Sequence, residues 1–322
     1  MFATMKSFRS NTDEEIIGWG DDFYYIKINL LKNEISKEIE IGFSKGKEKK
    51  KKIKINQEEL KKKTDLIGEM KSVMFSPEDL KILEGGPAER RKFIDIFLSY
   101  KNKLYIEYLL EYNKILKHRN SLLKTGRTSS RELSPWDKMM SDRGAIIMNQ
   151  RQESIQKLNE LYKNNLSNLS GNKDQLEIQY FPSITDSKNY LEELQSKIHL
   201  DAKLGYTTKG IHRDDLFIGR DGIDITTFGS QGQKRSTVIS LRTAQFQYVQ
   251  SEQGESPVLL IDDVIRELDV KRREYFVNLL MNCGQAFFTT TDLEGIKDYV
   301  GELSESIQVF EVKSGIVREI YI

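Results

Sequence analysis

Residues 257–263, PVLLIDD, set four apolar side chains in a row and then two acids. An apolar run this short, preceded by a polar loop at residues 251–256, predicts a strand buried on both faces, as in a parallel sheet covered by helices. Ligands of such sheets gather beyond the carboxyl ends of the strands, so acids placed there meet a divalent cation and phosphate and not the core. On this reading Asp262 holds magnesium, directly or through water, and Asp263 polarises an attacking water. An acid pair also ends many ordinary strands, so the flanking sequence has to decide.

Upstream, residues 228–235 read FGSQGQKR and lead into a segment with apolar positions Val238, Ile239, Leu241, Ala244, Phe246 and Val249. That spacing predicts a mostly buried helix whose amino terminus is fed by the loop. Ser230 offers a hydroxyl to phosphate, Gly232 permits close backbone approach, and the free N–H groups with the helix dipole favour an anion. A serine-capped helix after a glycine turn is the plainer alternative. Downstream, Glu267, Leu268 and Asp269 follow the acid pair, and a strand at residues 285–289 closes in Thr289, Thr290, Thr291 and Asp292.

The rest of the chain divides by pattern. Residues 23–31 (FYYIKINLL), 38–43 (EIEIGF) and 52–55 predict an antiparallel sheet, with the lysine-rich stretch 45–54 (KGKEKKKKIK) at a turn or edge. Ser76 and Pro77 open a helical region, in which Phe93, Ile96, Phe97, Tyr100, Leu104, Tyr108 and Leu109 recur at helical spacing. A second helical stretch covers residues 136–162, and an exposed loop is expected at 124–134. Residues 176–181 predict a strand, 190–202 a helix, and 307–322 a terminal hairpin turning at Ser314 and Gly315.

Composition narrows the function classes. No run of about 20 apolar residues occurs and the start lacks a signal pattern, so a cytoplasmic protein without membrane contact is expected. One cysteine, Cys283, excludes an intramolecular disulfide, and three scattered histidines argue against structural zinc. A net charge of +1 says nothing for nucleic acid, but the basic clusters do. Lys49, Lys50, Lys51, Lys52, Arg90, Arg91, Arg127 and Arg131 are the candidate DNA contacts; each cluster taken alone also reads as a solvated face. His212 and Arg213, in residues 210–216 (GIHRDDL), read equally as phosphate or DNA contacts or as a buried polar network.

The order of loop, helix, acid-ended strand and following Glu-Leu-Asp resembles the signature motif, Walker B strand and D-loop of ABC-type ATPases. Within that superfamily, Ser230-Gln231-Gly232-Gln233 together with IDDVIRELD at 261–269 resembles the RecF family. Residues 6–9 (KSFR), 75–95 (FSPEDLKILEGGPAERRKFID) and 210–216 agree with it, so the resemblance spans nearly the whole chain. It implies an α/β fold, a P-loop NTPase head of the ABC type with an inserted, mostly α-helical lobe. The head is expected at 1–75 and 199–322, and the lobe at 76–198. It further implies ATP and Mg²⁺ as cofactors, with Ser230, Gln231, Gly232, Gln233 and Asp269 on nucleotide, Asp262 on the metal and Asp263 catalytic. The implied activity of the complete protein is that of a slow ATPase and DNA clamp closed by an ATP-dependent homodimer. It acts at single-strand gaps, on duplex adjoining single strand, with RecR and, in the same pathway, RecO. The alternatives are an SMC-like or OLD-like ATPase and a DNA-binding module that does not hydrolyse ATP.

Two departures from the family stand out. No G-x-x-x-x-G-K-[ST] occurs in the 322 residues, although that loop cradles the β- and γ-phosphates. In the family it lies just before the KSFR segment, so a truncated or misplaced start is expected, in preference to a true loss of nucleotide binding. Arg266 stands at a D-loop position that ABC-type ATPases usually give to a small residue.

Overall fold

The computed structural model describes residues 1, 3, 7, 10, 12–32, 34–46, 50–126, 129–264, 269–291 and 307–320. Strands β1 (Phe23–Lys32), β2 (Ile35–Ser44), β3 (Lys50–Ile55) and β4 (Glu58–Glu59) form an antiparallel sheet in that order. The strict alternation of β2 buries Ile39, Ile41 and Phe43 on one face, where they meet Tyr24, Ile53 and Leu66.

Strand β5 (Ser72–Phe75) leaves this sheet for the next one, and Ser76 then starts the helical region with a capping box closed by Asp79. Short α1 (Lys81–Glu84), α2 (Pro87–Lys101), α3 (Lys103–Leu123) and the 41-residue α4 (Ser130–Ser170) follow. The loop expected at 124–134 is shorter than its composition suggested, because Ser129 and Glu132 form a capping box that starts α4 at Ser130. After β6 (Glu177–Phe181) come α5 (Tyr190–Gln195), α6 (Ile198–Leu204), β7 (Asp215–Arg220), β8 (Ile223–Asp224) and four-residue α7 (Ile225–Phe228). Strands β6, β7 and β8 form an antiparallel sheet in which Ile178 faces Ile218. The expected lobe boundary at 198 therefore falls between two paired strands.

Helix α8 (Gln231–Gln253) packs along α4 and returns the chain to β9 (Val258–Asp262), the predicted apolar strand. It lies at the centre of a parallel sheet of order β10-β9-β5, followed by α9 (Val270–Met281) and β10 (Ala286–Thr289). Leu259 and Ile261 are buried with Val73, Phe75, Ile239, Phe246 and Phe276, while Val258 and Leu260 are only half-buried. One face of the strand thus meets α8 and α9 in full, and the other is less covered than the continuous apolar run predicted. The last pair, β11 (Val309–Lys313) and β12 (Ile316–Ile320), is the expected hairpin, with Ser314 and Gly315 both at positive φ in its turn.

Candidate functional site

The acid pair ends β9 as expected. Asp262 lies opposite Thr289 in the parallel register, and the Thr289 hydroxyl donates to Asp262 Oδ1 at 2.7 Å. Asp263 is the first residue beyond the strand; its amide donates to Thr289 O at 3.2 Å and its φ is +50°. That left-handed conformation costs a non-glycine residue free energy and turns the side chain away from the strand direction. Asp263 Oδ1 is buried and has no hydrogen-bond partner among the described residues. A buried carboxylate oxygen without a donor is costly in a finished core and ordinary in a ligand site.

The loop at Ser230 is a built helix entry. Ser230 is the N-cap of α8, its Oγ accepting from the Gln233 amide at 3.3 Å while Gln233 Oε1 accepts from the Ser230 amide at 3.1 Å. Ser230 and Gln231 are exposed, and Gly232 and Gln233 half-buried. The cap leaves other first-turn N–H groups of a 23-residue helix facing outward, where an anion is favoured. Gln233 is steadied further by donating to Asp174 at 3.0 Å.

Asp269 caps α9, accepting from the Arg272 amide at 3.0 Å, and pairs with the Arg272 guanidinium. The same guanidinium donates to Gly232 O at 3.1 Å and to Ser236 Oγ at 2.8 Å. Arg272 thus joins the residues after β9 to the first turn of α8. Sequence reading missed it, although a cation in the first turn of a helix, against the dipole, was a usable signal. Arg266, Glu267, Leu268 and Asp292 lie outside the described residues, as do Lys6, Phe8 and Arg9 of the KSFR segment.

The candidate DNA contacts separate into groups. Lys50, Lys52 and Arg131 are exposed, although Lys52 lies 3.5 Å from Glu59; Lys49 and Arg127 lie outside the described residues. Lys51 shares a face of β3 with Ile53, so its side chain is nearly buried and pairs with Asp13 at 2.7 Å. Burial disfavours the ionised Asp13, but bonds from Lys51 and Tyr24 outweigh it and hold the carboxyl below its ordinary value. Arg90 is a correction: it is buried and forks onto Asp215 at 2.6 and 2.9 Å, so its guanidinium is not available to a phosphate. Arg91, half-buried, donates to Asp214 O at 2.7 Å.

His212 belongs to the buried network. Its Nε2 lies 3.0 Å from Thr207 O, a carbonyl that can only accept, so Nε2 carries the proton and Nδ1 accepts from Tyr112 at 2.9 Å. Tyr112 meets Tyr190, and the Ile211 amide donates to Tyr190. Burial, with Arg213 and Arg91 nearby, pushes the imidazole down to about 4. Arg213 is exposed, stacks on Tyr206 and donates at 3.4 Å to the same Thr207 carbonyl.

No described helix is long and apolar enough to cross a membrane, and among the described residues no three His, Cys, Asp or Glu side chains converge as metal ligands. Cys283 is half-buried, and burial pushes its thiol up.

A parallel sheet ending in an acid pair, a capped serine loop at the head of a long helix and an acidic cap after the acid strand define a head of the ABC ATPase type. The Smc head domain of Pyrococcus yayanosii shares the fold, with a TM-score of 0.52 at 12% identity over 97% of this chain and 86% of that one. No family model matches the chain. It is 55% identical over 320 residues to the DNA replication and repair protein RecF of Leptospira interrogans, covering 99% of this chain and 88% of the relative. To RecF of Leptospira biflexa it is 43% identical over 318 residues, covering 99% and 87%. A solved structure of the recombination mediator protein RecF with ATP, in the RecFOR pathway, superposes with a TM-score of 0.87 at 31% identity, covering 98% of this chain and 85% of that one. The chain belongs to the RecF family of DNA replication and repair proteins.

Proposed function

We propose that the chain works as an ATP-dependent DNA clamp at single-strand gaps, closed by nucleotide between two copies and acting with RecR and RecO. The observation that carries the reading is the Asp263 carboxylate, held beyond the end of β9 with a buried oxygen that no described residue satisfies. Such an oxygen can accept from a water and polarise it toward a terminal phosphate. Asp262, steadied by Thr289, is the residue to hold Mg²⁺. A bound Mg²⁺ would neutralise charge developing on the phosphates.

Ser230, Gln231, Gly232 and Gln233 present a hydroxyl and helix-terminal N–H groups on an exposed edge, suited to the phosphates of a nucleotide held by a second subunit. Asp269 lies beside them through Arg272, so the loop and the acid form one face. Exposed Lys50, Lys52 and Arg131 provide phosphate contacts that fix DNA without reading its sequence. The expected division into a head at 1–75 and 199–322 and a lobe at 76–198 stays part of this proposal.

Replacing Asp263 with Asn removes the base and keeps the shape. Steady-state ATP hydrolysis is expected to fall about 100-fold or more while ATP-dependent self-association persists. The measurement belongs on protein that includes any in-frame coding sequence upstream of Met1. Hydrolysis equal to the parent's contradicts the role of Asp263, and DNA affinity indifferent to ATP marks a non-hydrolysing DNA-binding module instead.

A further inference from the structure

Arg272 occupies a place that helix stability does not explain. It lies in the first turn of α9, and its guanidinium rests against the first turn of α8, so a cation meets the positive ends of two helix dipoles. Its contacts are specific. Nη1 pairs with Asp269, Nη2 donates to Gly232 O at 3.1 Å, and both Nη2 and Nε reach Ser236 Oγ, at 2.8 and 3.1 Å. Ser236 is wholly buried and donates in turn to Gly232 O at 3.0 Å. Gly232 sits between Ser230 and Gln233, whose reciprocal bonds shape the loop. The other end of the chain of bonds, the Asp269 carboxylate, is largely exposed.

We propose that Arg272 is a positioning residue that couples Asp269 to the Ser230–Gln233 loop within one subunit, so that engaging the exposed acid at a subunit interface changes the set and the field of the anion-binding loop. With Asp269 in place, the guanidinium charge beside the loop is largely offset. When a second subunit draws Asp269 away, the charge faces the loop uncompensated and strengthens its hold on phosphate. The function of this coupling rests on the clamp reading, but the coupling itself does not.

The test is amide hydrogen exchange at residues 233–236, without nucleotide, in the parent, Arg272→Ala, Asp269→Asn and the double variant. Asparagine is as good an N-cap as aspartate, so Asp269→Asn removes the ion pair while keeping the α9 cap. Arg272→Ala is expected to speed exchange about tenfold, and Asp269→Asn to change it in the parent background but not in the Arg272→Ala background. Arg272→Lys, which keeps the charge but loses the fork, should restore only part of the protection. Because a merely structural role would leave nucleotide response alone, ATP-dependent self-association is followed by sedimentation in the same variants. Arg272→Ala should raise the ATP concentration at its midpoint several-fold. Unchanged exchange in Arg272→Ala, or additive effects of the two substitutions, overturns the coupling. Self-association of the parent that ignores ATP counts against the clamp reading alone.

Discussion

His212 shows how far one side chain can be specified by its partners. The Ile211 amide, Tyr190, Tyr112 and the Thr207 carbonyl run through it as one chain of bonds that the neutral ring with Nε2–H completes. The ring's pKa is about 4 in the folded chain against an ordinary 6.5. A depressed pKa means that the unfolded state binds the extra proton between those values, so stability rises with pH there. The contribution is fully present above 6.5, is lost as pH falls toward about 4 and is flat below. The gap amounts to about 3 kcal/mol. Urea unfolding of the parent against His212→Gln is expected to show this slope in the parent and its loss in the variant; identical slopes would mean the ring does not titrate in that window.

At the scale of elements, α4 fits closely against α5. Gly144 in its interior faces the Tyr190 ring, and a Cβ there would come within 2.3 to 2.6 Å of three ring and hydroxyl atoms. Alanine ordinarily improves a helix interior by up to about 1 kcal/mol, but overpacking a filled core costs about 1–3 kcal/mol. Gly144→Ala is therefore expected to lower the thermal midpoint; a rise would show that α4 and α5 separate readily. Elements whose pattern is local were legible in the sequence. The acid-ended strand β9, the Ser230 cap and the alternating β2 each depend on neighbours within a few residues. The readings that failed depend on distant partners. Arg90 and Arg91 look like one surface cluster, yet adjacent helix positions point about 100° apart, and Arg90 turns inward to Asp215, 125 positions away. Arg272 was missed for the same reason, since Gly232 and Ser236 lie 40 and 36 residues before it.

Across the whole molecule, the helical region and the strands that follow are joined by a buried arginine. Arg151 of α4 donates to Asp95 of α2, to Asp214 and to the Ile211 carbonyl just before β7, and Tyr180 of β6 also donates to Asp214. Removing one member of such a set leaves an uncompensated buried charge, so Arg151→Ala is expected to cost about 3–5 kcal/mol in denaturant unfolding, and a loss under 1 kcal/mol would count against this joint. The clamp reading is tested most directly by the affinity of the protein for a gapped duplex, measured by fluorescence anisotropy over a salt series with and without ATP and Mg²⁺. The account predicts salt-sensitive binding that ATP tightens by about tenfold or more; affinity that ATP leaves unchanged at every salt concentration would contradict it.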